Sequence, residues 1–213
     1  MISRVHQVLF GVLLLACVAM AAVLIRLRNR AEDRLQEQAA GAPAMQIAAG
    51  VPPTQVTLYV PNDLDDSLVA VHQSLALPED ENAEAQELLT NLVAAFRAPG
   101  STHPINVANG VNQVYLVPVP NAPGAIGNSG QLAVVDLSAA LASAQPSGIE
   151  PETLTLLSMM ATLHANLPSI AEVHFLVDGQ PRETLAGHAD LTRTYLASEA
   201  NPTPNPEAAE GAP

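Results

Sequence analysis

The chain has no lysine, no tryptophan and a single cysteine, Cys17. One cysteine forbids an intrachain disulfide, so a folded domain here has to stand on its buried apolar surface. Aromatic residues make up 3% of the sequence, so the core must come from Leu, Val, Ile and Ala. Sites that stack sugars or flat ligands are poorly supplied for the same reason. All eight basic residues are arginine, as codon bias toward arginine would produce, and five of them (Arg4, Arg26, Arg28, Arg30, Arg34) precede Val51. Of the 21 acids only Glu32, Asp33 and Glu37 come that early, which leaves 18 against Arg97, Arg182 and Arg193, a net −15. Such a surface repels phosphate backbones, and nucleic acid is set aside as a partner.

What the N-terminus does have is a run without charge. From Val8 to Ile25 the sequence reads VLFGVLLLACVAMAAVLI. As a helix rising about 1.5 Å per residue it spans about 27 Å, close to the bilayer hydrocarbon thickness. Three readings fit. A cleaved signal peptide would use Ala19 and Ala21 as its exit, but apolar residues continue past them. A lipoprotein signal would use Leu14-Leu15-Ala16-Cys17, but a mature lipoprotein turns polar at once. An uncleaved anchor accounts for the whole run, with Arg26, Arg28 and Arg30 halting it at the headgroups, and it is the reading adopted. Cys17 is then a small apolar residue in a membrane helix, and the partner of Val8 to Ile25 is the bacterial membrane. The arginines beyond the span outnumber Arg4, so the positive-inside rule alone places the C-terminal part in the cytoplasm.

Residues 1–30 are thus assigned to the anchor and its flanks. Residues 31–53 form a stalk and linker: the helix-forming stretch after Arg26 gives way to Pro43, Gly50, Pro52 and Pro53. Residues 198–213 read as an acidic, disordered tail. Between them, residues 54–197 carry the periodicities of one domain. Val56, Leu58 and Val60 alternate as a strand, and residues 68–77 form a second extended stretch. Pro78 and the acids Glu79, Asp80 and Glu81 mark a helix start. Ala85, Leu88, Leu89, Leu92 and Phe96 then fall on one helical face. Asn109-Gly110 turns into a strand over 111–119, and residues 121–130 form a flexible loop before a buried strand at 132–137. Pro151 opens a second helix, with Leu156, Met160, Leu163 and Leu167 on one face. Val173, Phe175 and Val177 alternate up to the turn Asp178-Gly179, and Arg182 to Leu185 is expected to return as a shorter strand. Two helices among so few strands predict an α+β fold, a two-layer sandwich with both helices on one face of a small mixed sheet.

Several of these pieces together resemble the GerMN family, a domain named for sporulation and germination proteins and found in bacterial envelope proteins. They are Val56-Thr57-Leu58-Tyr59-Val60, Ala133-Val134-Val135-Asp136-Leu137-Ser138, Glu152-Thr153-Leu154-Thr155, and Phe175-Leu176-Val177-Asp178-Gly179 running on to Leu185-Ala186-Gly187-His188. Their order covers residues 56–195. The resemblance implies a fold like the ring-building motif, a helix-on-sheet unit able to pack against copies of itself, and no catalytic activity. It also implies a domain outside the cytoplasm, opposite to the arginine count. The best-known members carry two copies in tandem, and this chain carries one.

The residues themselves offer little enzymatic machinery. Gly127-Asn128-Ser129-Gly130 has the wrong spacing for a nucleophile elbow, and no phosphate-cradling glycine loop is present. His164, His174, His188 and Asp190 are the candidate metal ligands, but no two histidines stand at the i, i+4 spacing of a helical metal pair. No catalytic, cofactor-binding or metal residue is therefore assigned. Asp178, Glu183, His188 and Asp190 gather around the C-terminal hairpin and form the candidate interaction surface. The function expected is a non-catalytic, membrane-anchored interaction module of the cell envelope, with envelope proteins or further copies of itself as partners and no cofactor. A binder of a small ligand or cell-wall component is the alternative class, and an enzyme the third.

Overall fold

The computed structural model describes residues 52–120 and 129–200. The expected anchor from Val8 to Ile25, the stalk, most of the 121–130 loop and the chain beyond residue 200 lie outside the described residues. Among the described residues no helix is long and apolar enough to cross a membrane.

Strand β1 (Thr54–Asn62) turns back on β2 (Ser67–Leu75) as an antiparallel hairpin. Helix α1 (Glu81–Phe96) follows, its first turn closed by the Asp80 carboxylate, which accepts the Ala83 amide at 2.9 Å. The face Ala85, Leu88, Leu89, Leu92 and Phe96 is fully buried, as its spacing predicts. Strands β3 (Val111–Pro120) and β4 (Ser129–Leu137) pair antiparallel. Two helices come next, α2 (Ala139–Ala144) and α3 (Ile149–Asn166). Strand β5 (Ile170–Val177) then lies parallel to β4, and β6 (Tyr195–Leu196) borders β5 antiparallel. A 3-10 turn, Ala197–Ala200, carries the folded part through the buried Ala200, past the expected boundary at 197.

The fold is mixed α+β, but the single small sheet expected from the strand count is two sheets: β1-β2, and the four-stranded β3-β4-β5-β6. The helices themselves keep the two apart. The outward amide of Thr57 on β1 is accepted by Asn166 Oδ1 at 3.0 Å, and Asn166 Nδ2 donates to the Thr57 carbonyl at 2.8 Å. One side-chain amide thus makes both bonds a neighbouring strand would make. Tyr59 next along gives its amide to Thr162 Oγ1 at 3.0 Å. On β3 the Leu116 amide is accepted by Asn82 Oδ1 at 2.8 Å, and Gln86 Nε2 donates to the Asn112 carbonyl at 3.1 Å. Helix side chains thus take edge positions on β1 and on β3 at which a neighbouring strand would pair.

Two helices were the number predicted, and α2 is a third, with an N-cap that is a local sequence signal. Ser138 Oγ accepts the Leu141 amide and donates to the Asn109 carbonyl, so one hydroxyl starts the helix and pins the loop before β3. Gly110 in that loop is required by proximity: a Cβ there would lie 2.6 Å from Leu141 Cδ1 and 2.9 Å from Val93 Cγ1. Helix α3 is central. Residues 154–163 are all buried except Leu157, so the helix is covered around its circumference and not along one stripe.

The C-terminal hairpin departs most from expectation. Asp178 and Gly179 both take positive φ, 49° and 69°, and Val177 and Gln180 exchange both backbone bonds, as an Asp-Gly turn predicts. Pro181 has no amide to continue the ladder, and the expected return strand from Arg182 to Leu185 does not form. The chain curls into a loop instead and rejoins the sheet only at β6.

The central position of α3 sets the first expected outcome. Leu163→Ala should lower unfolding free energy by about 2–5 kcal/mol, as for a fully buried leucine. Ile149→Ala, at a side chain 69% exposed, should change it by no more than about 0.5 kcal/mol. Urea denaturation of the two variants beside the parent checks the pair, and equal losses would contradict the placement of α3.

Candidate functional site

The loop that replaces the missing strand is built around one carboxylate. Glu152, in the first turn of α3, is fully buried. Its Oε2 accepts the backbone amides of Ala186, His188 and Ala189, each at 2.9 Å. Its Oε1 accepts the Gly148 amide at 3.2 Å and lies 2.9 Å from His188 Nδ1. The loop is closed on itself by Leu185 N donating to the Ala189 carbonyl and Leu191 N to that of Glu183. Ser147 Oγ donates to the Ala186 carbonyl at 3.2 Å and ties the loop to the turn before α3. Gly187, at φ 127°, supplies a backbone conformation side chains rarely adopt, which lets the amides on either side converge.

Burial alone would raise the Glu152 carboxyl. The amide of Ala189, the His188 side chain and the amides of Ala186 and His188 outweigh it and bring the pKa down to about 2. A carboxylate with both oxygens engaged this way has nothing left for a metal or for proton abstraction. It is an internal anion that organises a loop.

A second polar chain runs through the core. Asp63 Oδ1 lies 2.7 Å from His103 Nδ1, and His103 Nε2 lies 2.7 Å from Thr155 Oγ1. Phe96 stands edge-on to the imidazole, with ring centroids 5.2 Å apart. The order carboxylate, imidazole, hydroxyl is that of an acyl-transfer triad. The geometry denies it that use: His103 and Thr155 are fully buried, so no scissile bond reaches the hydroxyl. The Thr155 hydroxyl also points at the carbonyls of Gln145, 2.9 Å away, and Pro151, 3.0 Å away. The chain joins the β1-β2 turn, the segment after α1 and the start of α3. Neither polar assembly was predicted from sequence, because partners 40 and 52 residues apart carry no local signal.

The four residues predicted as an interaction surface are all exposed. Glu183, His188 and Asp190 share the curled loop, and Asp178 sits apart at the end of β5. Asp178 Oδ1 accepts the Ala139 amide at 3.0 Å and Asn112 Nδ2 at 3.2 Å. His188 holds Glu152. Asp190 Oδ1 accepts the Thr192 amide and hydroxyl at 2.8 and 2.7 Å, and the hydroxyl first, then the amide, lower its pKa. Of the histidines weighed as metal ligands, His164 is half-buried with Nδ1 3.0 Å from the Ile170 carbonyl, and His174 lies on β5 beside the Arg193 carbonyl. Among the described residues no three His, Cys, Asp or Glu side chains are grouped to hold a metal ion.

The face of the four-stranded sheet that alternation turns away from the helices is different in kind. Tyr115 and Val117 on β3 are 54% and 45% exposed. In register beside them on β4 come the half-buried Val134 and Leu132, with His174 and Glu172 beyond on β5.

A family model described as "Germane: Sporulation and spore germination" matches residues 57–183. Among solved structures, the tandem GerMN domains of the sporulation protein GerM from Bacillus subtilis are similar at 17% identity and a TM-score of 0.45. That match covers 69% of this chain and 47% of the other, so the chain spans about half of the tandem structure. The first GerMN domain of the same protein matches at 18% identity and a TM-score of 0.42, over 68% of this chain and 98% of that one. A putative lipoprotein from Clostridium perfringens matches at 21% identity and a TM-score of 0.37, over 70% of this chain and 91% of its own. No curated protein matches.

The Glu152 cradle has a pH signature. A carboxyl whose folded pKa lies near 2, against an ordinary value of 4.5, contributes stability that is complete above 4.5 and lost as pH falls toward 2. Glu152→Gln should be less stable at pH 7 by roughly 1.5–3 kcal/mol, the scale of lost charge-assisted hydrogen bonds. It should also flatten the acid limb across that window. Denaturation of parent and variant from pH 7 to pH 2 checks both, and parallel acid limbs would contradict the cradle.

Proposed function

The chain belongs to the Germane family of sporulation and spore germination, and from that premise we propose that it is a non-catalytic, membrane-anchored module that binds a protein partner outside the cytoplasm. The observation that carries this reading is the division of labour among its side chains. The groups able to do chemistry (Glu152, His103, Thr155) are buried and spent on internal bonds. The large apolar side chains left in solvent include Tyr115 and Val117, side by side on the open face of a rigid sheet. An apolar patch on a rigid element is what a protein–protein contact uses.

The anchor is the Val8 to Ile25 run. The side of the membrane follows the family resemblance against the arginine count, which weighs a handful of residues near one span. Asp178, Glu183, His188 and Asp190 form a second contact zone in this reading. The internal bonds of Asp178, His188 and Asp190 make that zone rigid, which lowers the entropic cost of docking.

Two measurements on the full chain test the proposal. Alkaline phosphatase fused after Pro213 should be active in cells; an inactive fusion, with a cytoplasm-only fluorescent protein bright at the same site, would place the domain inside. A photo-crosslinking amino acid at Tyr115 or Val117 should yield adducts with a protein partner. The same group at Ile149, more exposed than either but off the sheet, should yield none. Equal adducts at all three positions would contradict a sheet-face contact.

A further inference from the structure

Helix side chains occupy the outer edges of β1 and β3, yet among the described residues one long edge, that of β2, is open. Strand β2 pairs with β1 along one side only. Its residues 69–74 are all exposed, and Val69 and Val71 stand 48% and 42% in solvent. In a domain this acidic, the span Ser67–Leu75 carries no acid and no arginine. It also lacks the devices that blunt an edge: proline, a charged side chain or a bulge.

The register fixes which backbone groups are free. Thr57 and Tyr59 turn their amides away from β2, toward α3. In an antiparallel ladder their partners His72 and Ala70 then turn theirs outward as well, and by alternation so do Leu68 and Ser74. The midpoint of the strand is Val71. A two-fold axis through Val71 is the register that overlaps two β2 strands over their full length. It sets Leu68 against Ser74 and Ala70 against His72, each exchanging amide and carbonyl bonds with its mate in the other copy. Val71 meets Val71, and Val69 meets Gln73, on the face that also carries Leu58. We propose that β2 is a homotypic docking edge: two copies of this chain join β2 to β2, antiparallel and centred on Val71, into one continuous four-stranded sheet.

Charge favours a second copy at this edge. Two chains this acidic meet most readily where neither presents a charge, and the uncharged span 67–75 is self-complementary under the two-fold. Asp65, Asp66 and Glu79 flank the span in both copies, so pairing should strengthen as salt screens them. A cationic peptide strand bound at the same edge would instead weaken with salt.

The proposal deepens the interaction-module reading, resting on it only for the statement that the protein works by contact. The test is made on the full chain in detergent micelles, in a Cys17→Ser background, with single cysteines on the exposed strand. Facing residues of a non-hydrogen-bonded antiparallel pair stand close enough for a disulfide. Val71→Cys should therefore convert to a linked dimer under mild oxidation. Gln73→Cys and Ile149→Cys, which do not face themselves across the axis, should give about ten-fold less. Raising salt should increase the Val71→Cys yield, and Val71→Lys should remove association in uncrosslinked chain. A monomer at Val71→Cys, or equal yields at all three cysteines, would overturn the pairing. So would a Val71→Cys adduct to a different protein in cells, or a yield that falls with salt. Crosslinks from Tyr115 that persist through such a failure would leave the broader reading standing.

Discussion

One carboxylate decides how the last third of the chain is arranged. Glu152 sits in the first turn of α3, and three amides from residues 34 to 37 positions later converge on one of its oxygens. A buried carboxylate is costly without partners, and a backbone loop is costly to order without bonds. Each supplies what the other lacks. Once the amides of Ala186, His188 and Ala189 are committed to Glu152, residues 182–185 cannot also ladder onto β5. The chain leaves the sheet after Asp178-Gly179 and returns at Tyr195, beside Val173. The 3-10 turn that follows then packs as the last piece of the core.

The same economy governs the sheets. Polar side chains on the helices behave as substitutes for missing strands: Asn166 and Thr162 along β1, Asn82 and Gln86 along β3. Each engages an edge group that would otherwise invite a foreign strand. The Asp63–His103–Thr155 chain does a related service inside, joining three loop or helix-start segments whose polar groups must be paired once water is excluded. Glu152, His103 and Thr155 are spent in this way, and among the described residues an open sheet face and the β2 edge stand in solvent.

How far the sequence foretold this depends on the range of the interaction. Local periodicity was sufficient for the elements. The buried face of α1, the alternation of Val173, Phe175 and Val177, and the positive-φ pair Asp178-Gly179 are properties of neighbours in the chain. Ser138 was a cap signal within the same reach, and the short α2 it starts could have been read from it. The departures at residues 182–185 and at Gly110 turn on contacts made at long range. Arg182 to Leu185 has the residues of a strand and is overruled by a carboxylate 30 residues earlier. Gly110 looked like a turn glycine, and its reason is the closeness of Val93 and Leu141. Two pieces of the family resemblance, the one beginning at Glu152 and the one ending at Gly187-His188, are separate along the chain; in the structure they are the two halves of one site.

The arrangement of everything after β5 depends on that site holding the loop as firmly as a helix. Residue-resolved amide hydrogen exchange by NMR at pH 7 measures it most directly. If Glu152 organises the loop, the amides of Ala186, His188 and Ala189 should be protected to a degree comparable with Met160 and Leu163 in the middle of α3. Their exchange should be lost to solvent only with the opening of the whole domain. Exchange at these three amides as fast as at the exposed Thr194, with α3 still protected, would show a loop that merely lies near Glu152 and is not organised by it.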